Sequence, residues 1–200
     1  MKVMLEPLKE EITRRRVLWI APFALAGLYA LWTRQRSDSN RSVSANDSNA
    51  EVAIVEFNDS GEKLGTARVR KVVHSSAEWR RHLSAEQYYV TRQQGTDTSF
   101  SGTYYQIHQP GLFRCICCDN AVFSADTKFD SGTGWPSFWA PIAMENIATR
   151  TDRSLLEQRT EVHCVRCDGH LGHVFNDGPE PTYLRYCINE SSLRFIPRSA

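Results

Sequence analysis

The pattern of apolar and polar positions divides the chain into stretches of different character. Residues 1–16 are polar and end in Thr13-Arg14-Arg15-Arg16, and Val17 to Trp32 then runs without a charge. Residues 37–50 are mostly Ser, Asn and Asp and cannot bury apolar area, which predicts a flexible tether. From Glu51 the pattern is that of a folded domain. Val52 to Phe57 reads as a strand, Asn58-Asp59-Ser60-Gly61 as a turn, and Ala67 to Val73 alternates like a return strand. Ser76 is placed to cap a helix through Ala77–Leu83, and a second short helix starts at Ser84. After Gly102 short β-rich runs are broken by Gly, Pro and Asp. Phe113-Arg114-Cys115 and Glu161-Val162-His163-Cys164 each read as a strand running into a turn. Tyr183–Ile188 and Ser192–Ile196 read as a closing pair of strands. The sum predicts a mainly β domain over 51–200 with small N-terminal helices.

The apolar segment 17–33 is short of the roughly 20 residues of a straight spanning helix but near the lower limit. Trp19, Tyr29 and Trp32 lie near its ends, as interfacial aromatics do. A buried core helix is the plain alternative, yet nothing else in the N-terminal region is apolar enough to cover it. The pattern therefore predicts a transmembrane anchor or the apolar region of a signal peptide. Arg14-Arg15 permits a twin-arginine-like export signal. Thr33-Arg34-Gln35-Arg36 offers no small-residue cleavage site directly after the run, which favours an uncleaved anchor. Lys2, Lys9, Arg14, Arg15 and Arg16 precede it, against Arg34, Arg36 and Arg41 after it. That bias predicts a membrane-anchored protein with an extracytoplasmic (periplasmic) domain, joined through the linker 34–50.

Composition adds little to this picture. The chain is 41% hydrophobic and 24% charged with a net charge of +1, an ordinary globular balance that gives no electrostatic case for nucleic acid.

The six cysteines change it more. Cys115/Cys118 and Cys164/Cys167 form two C-x-x-C pairs, the donor set of a tetrahedral zinc ion. About 45 residues separate them, longer than in a compact zinc finger, so the fold must bring the two knuckles together and pin two strand pairs. Four thiolates leave a metal no open position, so such an ion builds structure. Disulfides or a redox-active C-x-x-C are the alternatives in an exported domain.

Cys187 stands apart in Arg185-Tyr186-Cys187-Ile188-Asn189. Strand alternation puts Arg185, Cys187 and Asn189 on one face and turns Tyr186 and Ile188 to the core. A guanidinium beside a thiol favours the nucleophilic thiolate. His170 and His173 flank Gly172 upstream and supply an acid near neutral pH. Singly, each histidine reads as structural. Their company with Arg185, Cys187 and Asn189 favours a site. Trp135, in Thr133-Gly134-Trp135-Pro136, is either an aromatic cover for the core or an indole wall for an apolar, polarisable group such as an S-methyl.

Together these segments resemble the methionine sulfoxide reductase B family. The likeness runs from about Ala85 to Ile196, through Gly95-Thr96-Asp97 with Phe100-Ser101-Gly102, the Cys115/Cys118 pair and Lys128–Phe138. It continues through Cys164/Cys167, His170–Phe175, Asp177-Gly178-Pro179 and Arg185–Asn189. The resemblance implies an antiparallel, β-barrel-like (β-tent) fold and one structural zinc on Cys115, Cys118, Cys164 and Cys167. It also implies reduction of the R epimer of methionine sulfoxide, free or in proteins, by a peptide-methionine (R)-S-oxide reductase. On that reading Cys187 is the nucleophile, His173 or else His170 the acid, and Arg185 steadies the thiolate. Trp135 holds the methyl group, while Asn189 and Asp177 position the substrate oxygen and the histidines. Many family members carry a resolving cysteine where this chain has Thr133. Cys117, inside a zinc knuckle, is the only spare thiol, so a thioredoxin-like or small-thiol reductant is expected to act directly on Cys187. A non-catalytic zinc module and a disulfide oxidoreductase built on the C-x-x-C pairs are the rival readings; the first has no use for Cys187, Trp135 and the paired histidines, and a bound zinc would block the thiols of the second.

Overall fold

The structure, a computed structural model, describes residues 49–154 and 158–198. The expected polar segment, apolar helix and most of the linker lie outside the described residues. Among the described residues no helix is long and apolar enough to cross a membrane.

A hairpin opens the domain. β1 (Glu51–Phe57) pairs antiparallel with β2 (Lys63–Arg70). Two helices follow, α1 (Ser76–His82) and α2 (Ala85–Gln93). Each starts with a reciprocal capping box, Ser75 with Glu78 and Ser84 with Gln87, so side chains meet backbone N–H groups that a short helix leaves unpaired. The first cap is Ser75, one residue before the expected Ser76. Trp79 of α1 and Tyr88 and Val90 of α2 are buried.

The rest is antiparallel β. A three-stranded sheet has the order β11 (Leu193–Pro197), β3 (Gly111–Cys115), β4 (Ala121–Ser124). A six-stranded sheet has the order β5 (Lys128–Phe129), β6 (Ser137–Phe138), β10 (Arg185–Ile188), β9 (His170–Phe175), β8 (Arg159–Cys164), β7 (Ile147–Asp152). Phe123 of β4 stacks on Phe138 of β6 at 4.5 Å between ring centroids, and Phe113 of β3 meets Phe138 edge-on at 5.0 Å. These three rings, all fully buried, join the two sheets.

Two expectations are corrected. The sheets do not close into a barrel among the described residues, because the six-stranded sheet ends at β5 on one side and β7 on the other. Nor do the last two strands pair with each other. Asn189 breaks from β10, its N–H donating to the carbonyl of Leu171, and a 3-10 turn (Glu190–Ser192) carries the chain across. The carbonyl of Ser192 then accepts from the Ile116 N–H, and β11 runs beside β3 instead. The last strands thus staple one sheet to the other.

Candidate active site and metal centre

The two C-x-x-C segments are the turns of two hairpins, β3–β4 and β8–β9, as the spacing implied. In each, an amide folds back on the first cysteine: Asp119 N–H donates to Cys115 O and Asp168 N–H to Cys164 O, both at 2.9 Å. Asp119 (φ 62°) and Asp168 (φ 54°), each directly after a second cysteine, adopt the left-handed conformation that closes the knuckle. The four sulfurs of Cys115, Cys118, Cys164 and Cys167 converge within 4.8 Å of one another. Cys115–Cys167 and Cys118–Cys164 approach to 3.6 and 3.5 Å. Those separations exceed a disulfide bond of roughly 2 Å. They bracket, with the longer pairs, the edge of about 3.8 Å that four Zn–S bonds of about 2.3 Å produce in a tetrahedron. All are free thiols, and Asn120 Nδ2 donates to Cys164 Sγ at 3.6 Å. The donor set fits a closed, four-coordinate metal centre.

Cys187 lies in β10 between two partners, opposite His173 of β9 and opposite Ser137 of β6. Tyr186 and Ile188 are buried on the other alternation, as expected. A cavity of about 130 Å³ opens over this strand, lined by Trp135, His173, Cys187 and Asn189 together with Thr96 and Arg159. Burial pushes the Cys187 thiol above its ordinary range; the Arg185 charge and the Thr133 hydroxyl pull it down without cancelling that effect. Arg185 thus pulls the Cys187 thiol down, and burial outweighs it.

Other residues tie these groups in place. Asn189, nearly fully buried, accepts from the Asp97 N–H through Oδ1 and donates to the Leu171 carbonyl through Nδ2. Trp135 Nε1 donates to the Asp97 carbonyl at 3.0 Å, and Asp97 Oδ2 accepts from the Ser191 N–H. One residue thus fixes both the indole and the amide. Arg185 forms a two-pronged pair with Asp177, its Nε and Nη2 donating at 2.9 and 2.8 Å, and its guanidinium lies over the Phe175 ring. Asp177 does not line the cavity, and among the described residues its side chain bonds Arg185 and neither histidine. Asp177 thereby orients the Arg185 guanidinium.

The two histidines differ. His170 is buried, with Nδ1 2.8 Å from Glu161 Oε1, and it does not line the cavity. Burial alone would push Glu161 up, but hydrogen bonds and charge from His170 and Arg150 hold its carboxyl at about 2. His173 lines the cavity, and its Nε2 lies 2.8 Å from Asp152 Oδ2. Burial lowers the His173 imidazole below its ordinary range, against the upward pull of the Asp152 hydrogen bond. Sequence reasoning gave no role to Asp152, Arg159 and Glu161, nor to Asp97, which it placed only within the Gly95-Thr96-Asp97 segment. The alternation of Arg159 and Glu161 along β8 is the one local signal for those two.

The chain is similar to known proteins. The SelR domain matches residues 83–197. A Hahella chejuensis protein named peptide methionine sulfoxide reductase MsrB is 52% identical over 125 residues, 62% of this chain and 90% of that one. The equally named Herminiimonas arsenicoxydans protein is 52% identical over 125 residues, covering 91% of its own length. The chloroplastic peptide methionine sulfoxide reductase B1 of Oryza sativa subsp. japonica is 53% identical over 118 residues, 58% of this chain and 55% of that one. With a family match over more than half of its length, the chain belongs to the methionine sulfoxide reductase B family.

Proposed function

We propose that this protein reduces the R epimer of methionine sulfoxide, free or in proteins, with Cys187 as nucleophile. The observation that carries the reading is a single small cavity lined by a thiol, an imidazole, an indole and an amide: Cys187, His173, Trp135 and Asn189. Trp135 holds the S-methyl group against its ring. The Asn189 amide orients the sulfoxide oxygen. The Cys187 thiol passes its proton to the His173 imidazole as its sulfur bonds to the sulfoxide sulfur, and His173 hands that proton to the sulfoxide oxygen. The S–O bond breaks, the released hydroxide bonds to the Cys187 sulfur, and the S–S bond breaks so that the thioether leaves and Cys187 is a sulfenic acid. Methionine sulfur gains two electrons and the cysteine sulfur loses two. Arg185, set by Asp177, stabilises the thiolate as it forms, and His170 supports His173.

Regeneration consumes two thiols: the sulfenic acid and a first thiol give a mixed disulfide and water, and a second thiol releases Cys187. Thr133 stands at the place where many members carry a resolving cysteine. Cys117 packs near Cys167 at the sulfur cluster, since a Cβ on Gly169 would touch both sulfurs. We therefore assign recycling to a thioredoxin-like or small-thiol donor acting on Cys187 itself. The four clustered cysteines hold one structural zinc, which cross-links the two hairpins and takes no part in the chemistry. On the sequence pattern alone we further propose that segment 17–33 anchors the domain 51–200 outside the cytoplasm, through the tether 34–50.

The test is Cys187→Ser in the full chain. Loss of sulfoxide reduction with zinc content unchanged supports the reading. Activity retained by the variant, or absent from the parent with zinc and Cys187 intact, overturns it.

A further inference from the structure

Asp152 sits at the end of β7, directly opposite Arg159 of β8. Its side chain is largely buried and every oxygen is used. Oδ1 accepts from the Ser154 N–H at 2.9 Å. Oδ2 accepts from Arg159 Nη2 at 2.7 Å and lies 2.8 Å from His173 Nε2. Arg159 also lines the cavity beside His173. The other imidazole nitrogen, Nδ1, has no hydrogen-bond partner among the described residues. An Arg159–Asp152–His173 chain therefore runs from the rim of the cavity to the residue assigned as the acid.

We infer that Asp152 is a positioning residue for the reaction: it fixes the proton of His173 on Nε2, so that Nδ1 is the nitrogen that delivers a proton to the sulfoxide oxygen. This rests on the assignment of His173 as the acid. A carboxylate accepts hydrogen bonds and donates none, so the imidazole nitrogen facing it carries its proton in both charge states. The exchangeable proton is then the one on Nδ1. When it leaves for the sulfoxide oxygen, Nε2–H still points at Asp152 and the ring keeps its orientation. Arg159 and Ser154 hold the carboxylate from its other sides.

The charges around His173 set the direction of the pH effect. Asp152 and Arg159 reach it from β7 and β8, Glu161 lies opposite on β8, His170 is on its own strand, and Cys187 lies opposite on β10 beside Arg185. Asp152 favours the protonated ring, while burial, Arg159 and His170 disfavour it. An Asp152→Asn change removes the favourable charge. The amide also has one acceptor where the carboxylate has two, so it cannot serve Ser154, Arg159 and His173 together, and its NH₂ group turned to His173 would force the wrong tautomer.

The experiment is the single-turnover oxidation of Cys187 by methionine sulfoxide, followed across pH in the parent and in Asp152→Asn and His173→Asn, with zinc content as the check on folding. The expected result for Asp152→Asn is a step slower by about 10²-fold, within the range of general acid catalysis, with its alkaline limb moved to lower pH. A rate and alkaline limb unchanged in Asp152→Asn while His173→Asn loses the step overturns the role of Asp152 alone. A step that survives in His173→Asn overturns the acid assignment beneath it. Nitrogen-15 NMR of the parent's His173 needs no variant: neutral imidazole protonated on Nε2 supports the inference, and a proton on Nδ1 overturns it.

Discussion

Gly172 separates the two histidines, and its replacement by alanine is a sharp test of the geometry. A Cβ there would lie 2.1 Å from the Cys187 carbonyl oxygen and 3.0 Å from Ile188 Cα. Non-bonded carbon and oxygen settle near 3.3 Å, so β9 and β10 would have to part by about 1 Å. Both obstacles are backbone, and neither can swing aside. A ladder bond of about 2.9 Å stretched by that amount is effectively lost. Losing a pair of such bonds costs about 1–3 kcal/mol, and the overpacking about as much again. The expected destabilisation is about 2–5 kcal/mol, or a melting point lower by roughly 5–15 °C for a domain of this size. The same parting separates Cys187 from His173, its partner across the strands, and a displacement of about 1 Å can cost about 10²-fold in rate. Thermal unfolding by circular dichroism and single-turnover sulfoxide reduction read the two effects. A Gly172→Ala protein with the parent's melting point and rate would refute the close approach and the geometry built on it.

Further expectations follow from the charges and sulfurs. Arg185→Gln removes a cation that lowers the Cys187 thiol, so the rise of the oxidation step with pH should move to higher pH, as a pH–rate profile would show; an unmoved limb contradicts that role. Glu161 is held at about 2 in the fold against an ordinary 4.5, so its contribution is complete above pH 4.5 and is lost as pH falls towards 2. Urea titrations should find Glu161→Gln less stable than the parent by about 3 kcal/mol at neutral pH, with the gap closing over that interval. A Cys164→Ser protein should release its metal, about one zinc per chain by elemental analysis, and unfold at a markedly lower temperature; full stability without metal contradicts a structural centre.

Much of this was legible in the chain because it depends on short spacing. C-x-x-C turns and the alternation around Cys187 are local, and so are the serine caps of the helices. What escaped depends on contacts between distant strands. Asp152 meets His173 only because β8 lies between their strands, and Asp97 clamps Trp135 and Asn189 from far away in the chain. Pairing Tyr183–Ile188 with Ser192–Ile196 looked natural because the runs are adjacent, but the 3-10 turn after Asn189 carries the second into the other sheet. Strand alternation makes Arg185 legible as a neighbour of the thiol, whereas the burial that opposes its pull on Cys187 depends on the whole fold.

The most direct test of the central claim is one turnover without reductant. The full chain is mixed with a limiting racemic methionine sulfoxide, and the products are resolved by epimer and by mass. The account predicts up to one methionine per chain, drawn from the R epimer, with one added oxygen on the peptide that carries Cys187. Consumption of the S epimer, or methionine formed while Cys187 remains unoxidised, would contradict it.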